Sequence, residues 1–114
     1  MTIDKSLLSG STAMLVLKLL DAKKMYGYQM IEELDKRSEN VFHLKAGTLY
    51  PLLHMLEQKG MVSSYDEAVG NARVRKYYSI TKNGRKYLSE KQKEWETYTS
   101  AVNNVLGVEN IATA

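Results

Sequence analysis

The first apolar segment of the chain runs from about Leu7 to Leu20 and predicts a helix. Near one face of this helix lie Leu8, Leu15 and Leu19, while Val16, Leu17 and Leu20 fill much of the rest. A helix that is apolar most of the way round must be covered on more than one side. We expect the second cover to come from a C-terminal helix or from another subunit.

Two further helices are predicted in the middle of the chain. The first opens at Tyr26 and runs to about Arg37, with Met30, Ile31 and Leu34 at the spacing of a buried face. The next runs from about Ala46 to Lys59, with a buried stripe of Leu49, Leu52, Leu53 and Leu56, and ends before Gly60, where a left-handed residue is favoured. Pro51 lies past the first helical position and should disturb the early turns, and such departures tend to mark functional sites.

The last part of the chain predicts a hairpin followed by a long helix. Residues Met61–Glu67 and Arg73–Ile80 are predicted strands, joined by a turn over residues 68–72. Thr81 is the predicted N-cap of a helix that runs to about Leu106, before Gly107. At 1.5 Å per residue, roughly 25 residues span about 37 Å, so this helix should overhang the domain and meet another surface.

The predicted order of elements is three helices, a two-stranded ribbon and a long helix. This is a mainly α fold with a small β-ribbon (α+β), and it indicates a winged helix-turn-helix. The third helix is the expected recognition helix and the ribbon is the expected wing. We expect residues 1–80 to form the DNA-binding domain and residues 81–114 the C-terminal dimerisation helix and tail, in one compact unit.

Composition narrows the class of function. The chain has no cysteine, so a disulfide or thiolate-bound zinc is not expected, and no cofactor or metal is predicted. His43 and His54 have no metal-ligand spacing and belong to no nucleophile-base pattern, so we do not expect an enzyme. With no secretory signal and no apolar run long enough for a membrane span, we expect a cytoplasmic protein without a membrane partner.

The distribution of charge says more than the net charge of +3. Residues 73–88 include six basic residues and no acidic one, which is typical of a surface that binds a polyanion. The candidate DNA-binding residues are Lys45, Thr48, Tyr50, Pro51 and His54 at the recognition helix, Arg73, Arg75 and Lys76 on the wing, and Tyr26 ahead of the second helix.

Alternatives to these roles stay open. Tyr50 could be a partly buried packing residue, and His54 an ordinary exposed histidine. The rival class of function is a winged-helix protein-interaction module without sequence-specific DNA binding. The basic wing argues against that class, because such a module has no need of it.

Three motifs, in this order, resemble the PadR-like transcriptional regulators. They are Tyr26-Gly27-Tyr28, the string Ala46-Gly47-Thr48-Leu49-Tyr50-Pro51 with its continuation to Val62, and the segment from Lys76 to Gly84. The resemblance covers about residues 7–100. It implies a homodimer that binds promoter DNA at a pseudo-palindromic operator, usually as a repressor, and commonly regulates an adjacent transporter or detoxification operon.

The single C-terminal helix resembles the compact branch of this family, which includes multidrug-responsive members. In those, a tryptophan on the last helix stacks against planar ligands in a pore between the subunits, and Trp95 occupies the matching place. The ligand-binding candidates are Met14, Lys91, Trp95 and Thr99, with Thr99 standing where such members have an acidic residue. The alternative is that Trp95 only packs the dimer core. The predicted dimer interface is Leu7, Leu88, Trp95, Tyr98, Val102, Val105 and Leu106.

Overall fold

The computed structural model describes residues 3–109, and over this range the chain forms five helices and three strands. The helices are α1 (Lys5–Ser9), α2 (Thr12–Ala22), α3 (Gly27–Arg37), α4 (Ala46–Gln58) and α5 (Lys82–Leu106). The strands are β1 (Met25–Tyr26), β2 (Val62–Ala68) and β3 (Val74–Ile80). The predicted class, mainly helical with a small sheet, is confirmed. Residues 1–2, and residues 110–114 at the end of the predicted dimerisation tail, lie outside the described residues.

The N-terminal apolar segment forms two helices rather than one. A break at Gly10 and Ser11 separates α1 from α2. The hydroxyls of Ser11 and Thr12 donate to the carbonyl of Leu8 over 3.1 and 2.9 Å, and such side-chain bonds compete with regular helix. The prediction of one continuous helix from Leu7 to Leu20 is therefore wrong at its N-terminal end.

A short strand, β1, was not predicted. Met25 pairs with Tyr78 and Tyr26 with Tyr77, so β1 joins the edge of the hairpin in a three-stranded antiparallel sheet of order β1-β3-β2. Two residues are too few to show the alternation that identifies a strand in a sequence. The strand anchors the start of α3 to the sheet, because Tyr26 is also the N-cap of that helix.

One apolar core holds the helices and the sheet together. Val16 and Leu17 of α2 have no exposed surface, and they share the core with Leu49 and Leu53 of α4 and with Leu88 of α5. Helix α2 packs against α3, β3 and α5. Of the two covers that the sequence left open for this helix, the C-terminal helix of the same chain is the one observed.

The long helix α5 begins and ends as predicted. The Thr81 side chain caps its N-terminus by accepting from the amide of Gly84 over 3.0 Å, and Gly107 ends it in the left-handed conformation with φ +75°. The molecule measures 56 Å along its longest axis and 32 and 25 Å along the others, as expected for a helix that overhangs. None of the helices within residues 3–109 has the length and apolar character needed to cross a bilayer.

The hairpin strands lie one residue later at each start than predicted. Their register pairs Val62 with Ile80 at the base and Ala68 with Val74 near the tip. The tip turns through three consecutive residues with positive φ, Gly70 at 91°, Asn71 at 48° and Ala72 at 60°. The left-handed conformation is strained for a residue with a Cβ other than Asn or Asp, so Ala72 is held there by the turn around it.

Candidate nucleic-acid interface

Helix α4 divides into a buried and an exposed side. Leu49, Leu53 and Leu56 lie in the core, and the helix continues through Pro51 without interruption. The predicted contact residues of this element all lie on the exposed side, namely Lys45, Thr48, Tyr50, Pro51 and His54. Leu52, expected in the buried stripe, is only partly buried. A helix with this division can present hydroxyl, phenol and imidazole groups to the edges of bases.

The two helices of the helix-turn-helix have no side-chain cap at their N-termini. Tyr26 and Lys45 are the N-caps of α3 and α4, neither forms a side-chain capping bond, and neither helix has an acidic residue in its first turn. By contrast, the Asp4 and Thr81 side chains cap α1 and α5. Uncapped N-terminal amides, together with the helix dipole, favour an anion such as a phosphate.

Tyr50 joins the recognition helix to α3. A Cβ placed on Gly27, the first residue of α3, would collide with the hydroxyl end of the Tyr50 ring. Tyr50 nevertheless keeps 48% of its surface exposed. Both roles considered for Tyr50 are therefore compatible with its position: its ring packs over Gly27 and part of it faces solvent.

The connection between α3 and α4 is held by local hydrogen bonds. Nδ1 of His43 lies 2.9 Å from Oδ2 of Asp35, and the Ser38 hydroxyl accepts from the amide of Phe42 over 2.9 Å. Leu44 tethers the connection to the core. Glu39 and Asn40 have positive φ, 54° and 66°, which turns the chain sharply after α3. These contacts fix the angle at which α4 leaves α3.

The outer face of the sheet carries a stack of aromatic and basic side chains, which we call the aromatic stack and define as Lys24, Tyr26, Tyr65, Arg75 and Tyr77. The Tyr65 and Tyr77 rings stack with centroids 5.8 Å apart, and Tyr26 meets Tyr77 edge-on at 5.5 Å. The Arg75 guanidinium lies 4.4 Å from the centroid of Tyr26, and the Lys24 ammonium lies over the other two rings. Hydrogen bonding with the Tyr65 hydroxyl, followed by the charges of Tyr65 and Glu67, raises the pKa of Lys24.

The inner side of the sheet places an aromatic hydroxyl next to the recognition helix. Tyr78 is buried, and its burial, followed by the charge of Glu57 on α4 and by Tyr50, raises the pKa of its phenol. Glu57 also accepts a hydrogen bond from the Ser64 hydroxyl of β2. Helix α4 is thus bonded to the sheet as well as packed against it.

The wing is less basic in space than in sequence. The strand register places Glu67 opposite Arg75 and Asp66 opposite Lys76. Residues 73–88 contain no acidic residue, and the acids of β2 come to lie opposite the wing cations through this register. In the described part of the chain, however, Arg73, Arg75 and Lys76 form no ion pair; Arg75 lies over the Tyr26 ring and Lys76 over the Tyr78 ring.

The predicted ligand residues differ in their surroundings. Trp95 is 43% exposed, and its ring stacks on Tyr98 with centroids 6.1 Å apart. The Lys91 ammonium lies 3.3 Å from a carboxylate oxygen of Glu94, and the Thr99 hydroxyl donates to the carbonyl of Trp95 over 2.9 Å. Met14 is half-buried against the core of its own chain.

Most of the predicted dimer residues lie on an exposed apolar surface. Tyr98, Val105 and Leu106 are 61%, 88% and 68% exposed, and together with Ala101 and Val102 they line a shallow apolar depression of about 310 Å³. Leu7 on α1 is exposed as well. Leu88 is the exception and a correction: it is 4% exposed and belongs to the core of its own chain, so it is not available to a partner.

A polar groove that the sequence did not predict lies between α2 and α5. It has a volume of about 370 Å³, and its walls carry Lys18, Asp21, Arg85, Gln92, Lys93 and Glu96. Nε of Arg85 lies 3.5 Å from a carboxylate oxygen of Asp21 across it. No sequence signal could have found this groove, because its residues are scattered exposed positions on two separate helices.

Comparison with known proteins gives one consistent result. Residues 16–90 match the model of the transcriptional regulator PadR-like family. The chain is 37% identical to an uncharacterised protein of Lysinibacillus sphaericus over 82% of this chain and 85% of that protein. It is also similar to the structure of a transcriptional regulator from Clostridium thermocellum, with a TM-score of 0.81, 29% identity and coverage of 87% and 96% of the two chains. A PadR family regulator from Eggerthella lenta gives a TM-score of 0.80 and 32% identity, with coverage of 91% and 88%.

Proposed function

Because this chain belongs to the PadR-like family of transcriptional regulators, we propose that it binds a pseudo-palindromic operator as a homodimer and represses an adjacent transporter or detoxification operon. The observation that carries this proposal is the exposed polar side of α4, together with the uncapped N-termini of α3 and α4 and the wing cations, which form no ion pair among the described residues. Such a surface offers base contacts from the helix and phosphate contacts around it.

A second copy of the chain is proposed as the partner of the exposed apolar part of α5. Tyr98, Val105 and Leu106 form an apolar surface that water does not favour, and Leu7 adds another exposed apolar side chain. A twofold dimer would present two recognition helices to two half-sites about one helical turn of DNA apart, roughly 34–36 Å. Light scattering at micromolar concentration should give twice the 13.0 kDa mass of the chain.

DNA binding is tested with two duplexes, one from the region upstream of the gene for this chain and one with the same bases shuffled. Thr48→Ala and His54→Ala should weaken binding to the upstream duplex about tenfold more than to the shuffled one, because a lost base contact costs roughly 1–3 kcal/mol of discrimination. Arg73→Ala should weaken both equally and lower the salt slope by about one. Lys36→Ala, an exposed cation in the last turn of α3, is the charge-matched control.

Two results would contradict this proposal. If the α4 variants lost equal affinity for both duplexes, α4 would not be the element that recognises the base sequence. Failure of the unsubstituted protein to bind either duplex would favour the winged-helix protein-interaction module, for which the acids opposite the wing cations are the one supporting observation.

For the effector, we propose a planar aromatic molecule that stacks on Trp95 at the dimer interface. Trp95 presents a half-exposed indole beside the Tyr98 ring, and aromatic surfaces of this kind accept further rings by stacking. The Thr99 hydroxyl is bonded within its own helix and brings no negative charge, so the site does not single out cations. Met14, a pliable thioether, and Lys91 are proposed to complete the walls.

This effector hypothesis has a direct optical test. Trp95 is the only tryptophan of the chain, so its fluorescence reports on this site alone. Titration with a planar aromatic dye should quench the fluorescence saturably. Trp95→Ala, followed by the fluorescence of the dye itself, should abolish dye binding while leaving operator binding intact. If no planar compound quenches below about 100 µM, near 5 kcal/mol of binding free energy, Trp95 only packs the dimer core.

A further inference from the structure

The position of Arg75 over the Tyr26 ring has a consequence for how the wing meets DNA. We propose that Tyr26 is a positioning residue: its ring holds the Arg75 guanidinium by its face and so presents the guanidinium edge to a DNA phosphate. This inference rests on the DNA binding proposed above and refines the contact role that the sequence suggested for Tyr26. In this arrangement Arg75 contacts the phosphate, and Tyr26 orients the Arg75 side chain.

The geometry of the aromatic stack explains why the Tyr26 ring stays in place. The ring is edge-on to Tyr77, with an angle of 82° between their planes, and Tyr77 is itself stacked on Tyr65 at 17°. The backbone of Tyr26 is fixed by its pairing with Tyr77 in the sheet. A guanidinium that lies over such a ring, 4.4 Å from its centroid, is restricted on the side that faces the protein.

The donors of Arg75 remain free in this arrangement. A guanidinium that lies flat on a ring uses its face for that contact, and its N–H donors then point outward in the plane of the group. Glu67 lies directly across the strand, yet among residues 3–109 no ion pair or side-chain hydrogen bond joins it to Arg75. The charge of Glu67 contributes to the raised pKa of Lys24, whose ammonium lies over the Tyr65 and Tyr77 rings.

The location of this contact places it beside the DNA backbone. Tyr26 is the N-cap of α3, and in a helix-turn-helix the first of the two helices crosses the backbone while the second enters the groove. The next residue, Gly27, is covered by Tyr50 of the recognition helix. A chain of contacts therefore links the wing to α4: Arg75 lies over Tyr26, and Gly27, which follows Tyr26, is buried under the Tyr50 ring.

The experiment is a double-mutant cycle on a fluorescently labelled duplex of mixed sequence, because a phosphate contact needs no operator. Tyr26→Leu should weaken binding about two- to fivefold, which corresponds to an exposed cation–π contact. The salt slope should stay unchanged, since Arg75 still reaches the phosphate. Arg75→Ala should lower the slope by about one, and Tyr26→Leu should add nothing in that background. Tyr26→Phe should restore the affinity lost in Tyr26→Leu, because stacking does not use the hydroxyl.

A second series avoids any doubt about folding of the leucine variant. Phenylalanine with increasing ring fluorination at residue 26 keeps the size of the side chain while weakening the electrostatic attraction for a cation. Affinity should fall with each added fluorine in the Arg75 protein and stay level in the Arg75→Ala protein. A level response in both, or a loss with Tyr26→Phe equal to that with Tyr26→Leu, would overturn the positioning role. Absence of binding by the unsubstituted protein would instead overturn the proposed function, and this inference with it.

Discussion

Residues 82–88 and residues 89–106 belong to one uninterrupted helix, α5, but they have different surroundings. The first part is capped by Thr81 and includes both buried residues of the helix, Gly84 and Leu88. In the second part, all of which the structure describes, no residue is buried, and Tyr98, Val105 and Leu106 are among the most exposed apolar side chains. The same helix is a core element of the domain at its start and a bare apolar surface at its end.

This difference shows that one apolar repeat can serve two separate surfaces. Leu88, Trp95 and Val102 recur at a spacing of about seven residues, which is typical of a seam between helices. In the structure the seam is divided, because Leu88 faces its own domain and Trp95 does not. Helices without tertiary contacts are only marginally stable in water, so the second part of α5 has most to gain from a partner.

The largest expected effect is that of Gly84→Ala in the first part of α5. A Cβ on Gly84 would collide with the carbonyl of Met61 and with Ile80, and backbone cannot move aside as a flexible side chain can. We expect a loss of about 3 kcal/mol or more in the free energy of unfolding, measured by urea titration. Gly10→Ala, where nothing lies within 4 Å of a Cβ, is the matched control and should change stability little. If the Gly84→Ala protein were as stable as the unsubstituted protein, Gly84 would not be tightly packed against Met61 and Ile80.

Leu88→Ala should follow, with a loss of about 3 kcal/mol in the free energy of unfolding. The leucine is 4% exposed, and truncation of such a side chain leaves a cavity in the core. The dissociation constant of the proposed dimer should be unchanged. Light scattering across a dilution series measures it. A change in dimer affinity without a loss of stability would mean that Leu88 lies in the dimer interface, as the sequence predicted, and not in the core.

Tyr98→Ala is the counterpart in the second part of α5. Its side chain is 61% exposed in the single chain, so the fold of the chain does not depend on it. We expect the proposed dimer to lose about 2 kcal/mol of association free energy, which is roughly a thirtyfold rise in its dissociation constant. Light scattering on dilution measures this rise, and Lys86→Ala at an exposed position in the first part is the control. An unchanged dissociation constant would exclude this surface as the interface.

Thr81→Ala should give the smallest effect, about 1 kcal/mol in the free energy of unfolding. The variant loses the cap on the amide of Gly84 and the hydroxyl bond of 2.6 Å to the carbonyl of Gly60. Thr81→Ser keeps both groups and should recover most of the loss in a urea titration. If serine were no better than alanine, packing of the threonine methyl group would matter more than the cap.

Much of the fold could be predicted from the sequence, because helices α3, α4 and α5 carry both periodic apolar residues and terminal signals. Gly60 and Gly107 mark helix ends, and Thr81 marks a beginning. The break at Gly10 and Ser11 lies within four consecutive small or polar residues, Ser9 to Thr12, a composition typical of a turn, so the prediction of one continuous helix overlooked an available signal. Strand β1 is too short to have a pattern of its own.

The candidate site was predictable at the level of elements and less so at the level of contacts. A sequence shows that Leu88 is apolar but not which surface covers it, and it shows that Arg75 is basic but not that Glu67 lies opposite. The relation between Tyr26 and Arg75 depends on the pairing of β1 with β3, which brings together residues almost fifty positions apart in the chain.

The hydrogen bonds of Thr81 also couple the direction of α5 to the position of α4. The Thr81 hydroxyl donates to Gly60, directly after α4, while the Thr81 amide donates to the carbonyl of Met61 over 3.0 Å. Two hydrogen bonds of Thr81 therefore connect the start of α5 to the segment that follows the recognition helix. Helix α5 is about 37 Å long, so a tilt of about 5° about its Thr81 end displaces its far end by roughly 3 Å. In the proposed dimer, a small change in the angle at which the two α5 helices cross would change the distance between the two recognition helices.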